Sequence, residues 1–209
     1  RATDSDTFTV DNSFTVTVTD APIALYRVNC GGPQITAIDG GLDWGGDTVA
    51  SNSTYLSVAG SNQVYTSTNI PVDGSVDQST TPMDIFSTER YDNATGAPNL
   101  TYSFPAAQNG NYEIRLYMAN SFGGTAQPNT RVFDADIEGV ILPLLNDIDL
   151  SGTYGHATGT VISHILKVTD GSIDISFLHG ALENPLVNAI EILDAPNNDT
   201  PIYVNPIVN

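Results

Sequence analysis

Asp39, Asp43 and Asp47 lie four residues apart in a glycine-rich stretch, Asp39-Gly-Gly-Leu-Asp-Trp-Gly-Gly-Asp47. Carboxylates grouped in this way supply the hard oxygen ligands that calcium takes. Their spacing departs from the alternating ligands of a helix-loop-helix calcium site. A second reading has the same side chains accepting backbone N–H groups and bracing their own loop. Asp4, Asp6 and Asp20 form a separate set of calcium candidates. Cys30-Gly31-Gly32 follows a strand pattern and raises the question of a phosphate cradle. No helix pattern follows it, and no Gly-Lys-Ser/Thr ending is present, so that chemistry is set aside. His156, His164 and His179 show no metal-binding spacing, and no serine sits in a Gly-x-Ser-x-Gly elbow. Carboxylate pairs of the kind a glycosidase holds roughly 5 to 10 Å apart are plentiful, but coincidental in so acidic a chain. Non-covalent binding is a further chemistry open to these residue types. Aromatic faces stack on the apolar side of a sugar ring, while carboxylates and amides hold its hydroxyls.

The elements that must position such groups are strands. Phe14, Val16 and Val18 alternate with threonines. The series Tyr112, Ile114, Leu116, Met118 alternates with polar residues, as do Phe133, Ala135, Ile137 and Ile173, Ile175, Phe177. A period of two places one apolar and one polar face on each segment, as half-buried antiparallel strands require. His164 alternates with Ile162 and Leu166 and reads as a strand-face residue. Asn109-Gly110 and Asp170-Gly171 separate such runs and read as hairpin turns. No stretch keeps a helical period. The expected fold is all-β, an antiparallel β-sandwich of jelly-roll type with little helix.

The chain has 209 residues, with 24 acidic against 6 basic ones and a net charge of −18. Such a surface repels phosphate, which excludes nucleic acid and anionic membrane as partners and favours neutral ligands or hard cations. No apolar run approaches the roughly 20 residues of a membrane span. Cys30, the single cysteine, reads as a small core residue. Arg1 to Asp20 ends in an alternating Phe-Thr-Val-Thr-Val-Thr-Asp run, then Ala21-Pro22. Residues 1–22 therefore read as the last hairpin of a cadherin-like or immunoglobulin-like repeat plus a linker. Residues 23–195 form the sandwich, and 196–209 a linker and the start of a following module. On that reading the chain is a piece of a longer protein.

Five separated motifs run in order through the middle: Arg27-Val-Asn-Cys-Gly-Gly32, Asp43-Trp44-Gly-Gly-Asp47, Thr88-Glu89-Arg90-Tyr91, Arg131-Val-Phe-Asp-Ala-Asp136 with Glu138-Gly139, and Glu183-Asn184-Pro185 leading into Asn188-Ala-Ile-Glu-Ile192. The ordered set, from about Ala24 to Asp194, resembles malectin and malectin-like domains, which are β-sandwich carbohydrate-binding modules. The resemblance implies a site for a glucose-type disaccharide, built from loop aromatics and one carboxylate at one end of the sandwich. Tyr91 matches the tyrosine of the Thr-Glu-Arg-Tyr motif, and Phe122 in Ala119-Asn-Ser-Phe-Gly-Gly124 matches a loop phenylalanine. Ser121 replaces the neighbouring family tyrosine. Glu183 stands where the family has an aspartate, and Tyr65 or Tyr55 stands in for the remaining tyrosine. Asn120 and Asn184 are the loop amides beside them. Packing is the alternative role for Tyr91 and Phe122. The resemblance also implies that Cys30-Gly31-Gly32 is a structural turn and that Asp47 braces its loop. Arg90 reads as a brace pairing with Glu89 or a neighbouring aspartate, and Trp44 as a wedge against the sandwich.

The combined expectation is a non-catalytic module, with no enzymatic activity, that binds a glucose-containing glycan. It would sit in a large secreted, cell-surface, bacterial adhesin, beside neighbouring modules of the same chain. Calcium, held by Asp39, Asp43 and Asp47, would be structural. The alternatives are a structural spacer, a protein-binding module, or the accessory sugar-binding module of a polysaccharide-degrading enzyme.

Overall fold

The computed structural model describes residues 22–96 and 98–195; the two expected flanking modules and the calcium candidates Asp4, Asp6 and Asp20 lie outside them. The strands in chain order are β1 (Ala24–Cys30), β2 (Gly45–Asp47), β3 (Leu56–Val58), β4 (Gln63–Thr66), β5 (Thr88–Tyr91), β6 (Leu100–Pro105) and β7 (Gly110–Met118). They continue with β8 (Val132–Ile137), β9 (Val140–Ile141), β10 (Thr160–Val168), β11 (Ser172–Leu182), β12 (Leu186–Val187) and β13 (Ala189–Asp194). One four-residue helix, α1 (Leu150–Thr153), is capped by the Asp149 carboxylate, which accepts from Gly152 N at 2.9 Å.

Two five-stranded sheets, ordered β10-β7-β13-β1-β2 and β3-β6-β11-β8-β9, enclose the main core, and a small third sheet is ordered β12-β5-β4. The alternation seen in the sequence decides which side chains meet. Ile114, Leu116 and Met118 of β7, with Ile190 and Ile192 of β13, pack from one sheet against Tyr102 and Phe104 of β6, Phe133 and Ala135 of β8, and Ile175 and Phe177 of β11 from the other. Cys30 lies in this core, where burial raises its thiol pKa well above the usual value. The opposite face of the first sheet is also covered. Trp44, Ile85, Phe86 and Tyr117 form a second apolar cluster there. All pairings of strands are antiparallel except β1 with β2, which run parallel over Val28↔Gly45 to Cys30↔Asp47.

The turns correct the sequence reading. Asn109-Gly110 joins β6 to β7, and Asp170-Gly171 joins β10 to β11, yet in each case the two strands belong to different sheets. Both segments are corners over the core, not hairpins, and a hydrogen bond from Ala106 N to Gly171 O at 2.9 Å ties one corner to the other. Turn residues report that the chain reverses, not which strand it pairs with next. The tight hairpin is Glu138-Gly139, between Ile137 and its partner Val140, with φ of +57° and +70°. Two consecutive positive φ values are the mark of the turn that matches strand twist.

One buried cluster links all three sheets. The Asp47 carboxylate, at the end of β2, accepts from Arg90 Nε of β5 at 2.8 Å and from the Tyr102 hydroxyl of β6 at 2.6 Å. Its other oxygen accepts from Ser53 N at 2.8 Å. Arg90 also donates to the Asp47 carbonyl and to Asn62 Oδ1. Arg90 and Asp47 are both fully buried. Gly31, at φ +83°, turns the chain beside this cluster, and a Cβ there would press on Val64 and the Arg90 backbone. A buried ion pair owes its persistence to geometry and to full hydrogen bonding, and removal of one partner strands the other charge. Asp47→Ala is therefore expected to lower the unfolding free energy by about 3–5 kcal/mol in urea denaturation. A loss below about 1 kcal/mol would show that the cluster does not hold the sheets together.

Candidate functional site

Strand β5 organises the candidate residues. Tyr65 of β4 lies opposite Glu89, Gln63 lies opposite Tyr91, and Leu186 of β12 lies opposite Tyr91 from the other side. Opposed residues in an antiparallel ladder share a face, so Tyr65, Glu89 and Tyr91 project together while Arg90 points the other way, into the Asp47 cluster. The Phe122 ring meets Tyr65 edge to face, with centroids 5.6 Å apart and planes at 79°. Phe122 is 39% exposed, and Gly124 leaves room for its ring, since a Cβ there would collide with it. Asp92 N donates to Pro185 O at 3.2 Å, which seats Glu183-Asn184-Pro185 beside the end of β5. Glu183 is exposed and accepts from its neighbour Asn184 at 3.1 Å.

The structure thus brings Tyr65, Phe122, Tyr91, Glu183 and Asn184 to one region around the small sheet. Tyr91 is half-buried and packs partly on the main core. Tyr55 is not among them. Its ring stacks on Phe104 at 4.9 Å and meets Tyr26 at 5.0 Å. Asn120 also departs from the expectation. It is fully buried, and its amide donates to Thr125 O and Ser151 Oγ, each at 2.9 Å. It shapes the loop from beneath and has no face for a ligand.

Beneath Phe122 lies a polar network that the sequence reading did not identify. Glu89 accepts from Ser121 N at 3.3 Å, Ser121 Oγ at 3.0 Å and Arg131 Nη1 at 3.2 Å. Arg131 also donates to Asn120 Oδ1 at 3.0 Å. Burial raises the Glu89 carboxyl pKa, and the Arg131 charge and the Ser121 donors act against that rise. Strand alternation held the missed signal: adjacent Glu89 and Arg90 must face opposite ways, so they cannot pair with one another. Each finds its own partner, Arg131 and Asp47.

The three spaced aspartates serve three separate purposes. Asp39 pairs with Arg27 at 2.6 Å and accepts from Gly41 N. Asp43 accepts from Ala37 N at 2.8 Å and Gln34 Nε2 at 3.0 Å. Asp47 belongs to the buried cluster. No group of three His, Cys, Asp or Glu side chains among the described residues is arranged to hold a metal ion, and these aspartates do not fit a shared calcium site. Trp44 is fully buried, edge-on to Tyr117 at 5.4 Å and beneath the Arg27 guanidinium at 5.2 Å, as a wedge. His164 is buried on β10. The arginines among the described residues, Arg27, Arg90, Arg115 and Arg131, all pair with carboxylates of the chain itself.

The sequence profile of the malectin domain family matches residues 24–196. Malectin of Mus musculus is 28% identical over 137 residues, 58% of this chain and 44% of that protein. Among solved structures, the ANXUR2 extracellular domain of Arabidopsis thaliana superposes with a TM-score of 0.68 at 24% identity, over 84% of this chain and 50% of that one. A plant receptor-like kinase FER gives 0.70 at 21% identity, over 90% and 54%. FER crystallised with the plant peptide RALF23 and LLG2 gives 0.70 at 19% identity, over 90% and 55%. The chain spans about half the length of these proteins, and the likeness to the plant structures is one of fold.

The Arg27 bond lowers the Asp39 carboxyl pKa from 3.8 to about 2. A folded-state value below the unfolded one stabilises above the unfolded value and is lost as pH falls through the folded one. Asp39→Asn is expected to cost about 1–2 kcal/mol near neutral pH, after screening of this partly exposed pair. The difference from the parent chain should shrink between about pH 4 and about pH 2. A difference that stays constant across that range in urea titrations would contradict the assignment.

Proposed function

Because the chain belongs to the malectin domain family, we propose that it is a non-catalytic carbohydrate-binding module for a glucose-containing glycan. The observation that carries this reading is the edge-to-face pair of Tyr65 and Phe122, beside Tyr91 and the Glu183-Asn184 turn. Phe122 offers an exposed aromatic surface for the C–H face of a sugar ring. Glu183 is exposed to accept from sugar hydroxyls, and half-buried Asn184, whose amide donates to Glu183, holds that carboxylate in place. Ser121, where the family has a tyrosine, turns its hydroxyl inward to Glu89, so this site stacks with one ring fewer. Affinity per site is micromolar to millimolar, because a small, open, wet site gains little beyond its association cost. Repetition on a surface raises it by avidity.

The setting we propose is a secreted, cell-surface protein, a bacterial adhesin built from neighbouring modules. Its acidic surface supports neutral ligands, because the arginines described are used internally and exposed Lys167 is the chain's single lysine. A protein-binding role is the second reading. It is favoured by the half-buried setting of Tyr91 and by the fold shared with FER, which has been crystallised in complex with RALF23 and LLG2.

The test is a glycan array with the purified chain and two variants at exposed positions, Phe122→Ala and Glu183→Ala. Glucose-containing glycans should bind, and each variant should weaken binding about tenfold. A blank array, or variants that bind like the parent, would move the assignment to protein binding.

A further inference from the structure

The other face of β5 borders a cleft of about 440 Å³ that includes none of the glycan-site candidates. It lies between the turn that follows β1 and the 3₁₀ turn at Met83–Ser87. We infer that this cleft is a second, separate ligand site for a small neutral molecule rich in hydroxyls, of monosaccharide size. Pockets for small molecules span about 300 to 1,000 Å³ and combine apolar walls with a few converging polar groups. Here Pro33 and Ile35 are apolar, and Gln34, Thr36, Asp84 and Ser87 are polar.

The distribution of hydrogen bonds distinguishes a rigid wall from an available one. The Thr88 hydroxyl reaches Asn29 Oδ1 at 3.3 Å and Cys30 O at 3.1 Å, and Asn29 Nδ2 donates to Pro33 O at 2.8 Å. Asn188 Nδ2 donates to Thr88 O at 2.8 Å. That wall is fixed before any ligand arrives. The side chains of Thr36, Asp84 and Ser87 make no hydrogen bond to other described residues, and Asp84 has no salt-bridge partner among them. An uncommitted carboxylate beside two free hydroxyls accepts from, and donates to, vicinal hydroxyl groups. The same carboxylate, in a chain of net charge −18, repels anions. Thr88 lies on the face of β5 opposite to Glu89 and Tyr91, so the cleft and the aromatic site share a strand but no side chain.

Amide NMR spectra of the ¹⁵N-labelled chain, titrated with glucose, galactose, mannose and N-acetylglucosamine to about 0.1 M, test this, since small exposed sites bind in the millimolar range. At least one sugar should give saturable shifts at residues 34–36 and 84–88. Asp84→Ala and Ser87→Ala should each weaken those shifts about tenfold. Phe122→Ala should leave them intact, which separates this site from the aromatic one. Peak dispersion reports that each variant is folded, and exposed Asp84 provides the variant least coupled to the fold. Absence of cleft shifts with all four sugars, or cleft shifts unchanged in Asp84→Ala, would overturn the inference whatever happens at Phe122.

Discussion

A carboxylate with no access to water must find all its partners inside the protein, and Asp47 does so by recruiting one group from each neighbouring layer. It ends β2 of the first sheet, binds Arg90 of the small sheet and accepts the hydroxyl of Tyr102 in the second sheet. Burial raises the Tyr102 hydroxyl pKa well above its usual range, so it stays a donor at any ordinary pH. These bonds are directional, and they add a fixed geometry to the close packing of the apolar core beneath them. The cluster therefore fixes where β5 runs, and with it both surfaces that β5 presents.

The same logic explains how so acidic a chain uses its few cations. Arg27 joins Asp39 and Glu191, Arg115 joins Glu113 and Glu191, and Arg131 joins Glu89. Tyr117 adds its hydroxyl to Glu191 at 2.9 Å. Each guanidinium supports a buried or partly buried carboxylate, so little positive charge is left to attract a ligand from outside. Glu89 and Arg131 show the functional consequence. Their pair holds Ser121 and Asn120 in place, and those residues set the position of the exposed Phe122 ring. Rigid support below an exposed aromatic reduces the ordering cost of binding.

The strand alternations of Tyr112 to Met118, Phe133 to Ile137 and Ile173 to Phe177 were legible in the sequence, because half-buried strands impose a period of two wherever they occur. The all-β sandwich followed from them. The pairing of strands was less legible. Asn109-Gly110 and Asp170-Gly171 mark reversals of the chain but carry no record of whether it returns to the same sheet or crosses the core. Glu138-Gly139, a turn with weaker composition, makes the tight hairpin. The ordered motifs brought Tyr91, Phe122 and Glu183 to attention, and β5, β4 and β12 gather them with Tyr65. Asn120 was misread because an amide in a loop looks the same in sequence whether it faces water or a buried arginine. The arginine partners of Asp39 and Asp47 are equally invisible in sequence, because Arg27 and Arg90 reach them only through the fold. Asp43 instead braces its own loop through Ala37 N and Gln34, the local role that carboxylates in a glycine-rich stretch suggest. The cleft beside Asp84 joins segments some fifty residues apart in the chain and has no local signature.

A crystal structure of the chain soaked with a glucose disaccharide tests most directly whether the β5 scaffold presents a sugar site. The prediction is a pyranose ring against Phe122 and Tyr65, within hydrogen-bonding reach of Glu183, with the Asp47–Arg90–Tyr102 cluster unchanged beneath it. A disaccharide bound only elsewhere, or a crystal that takes up none at saturating concentration, would contradict a carbohydrate role for that surface.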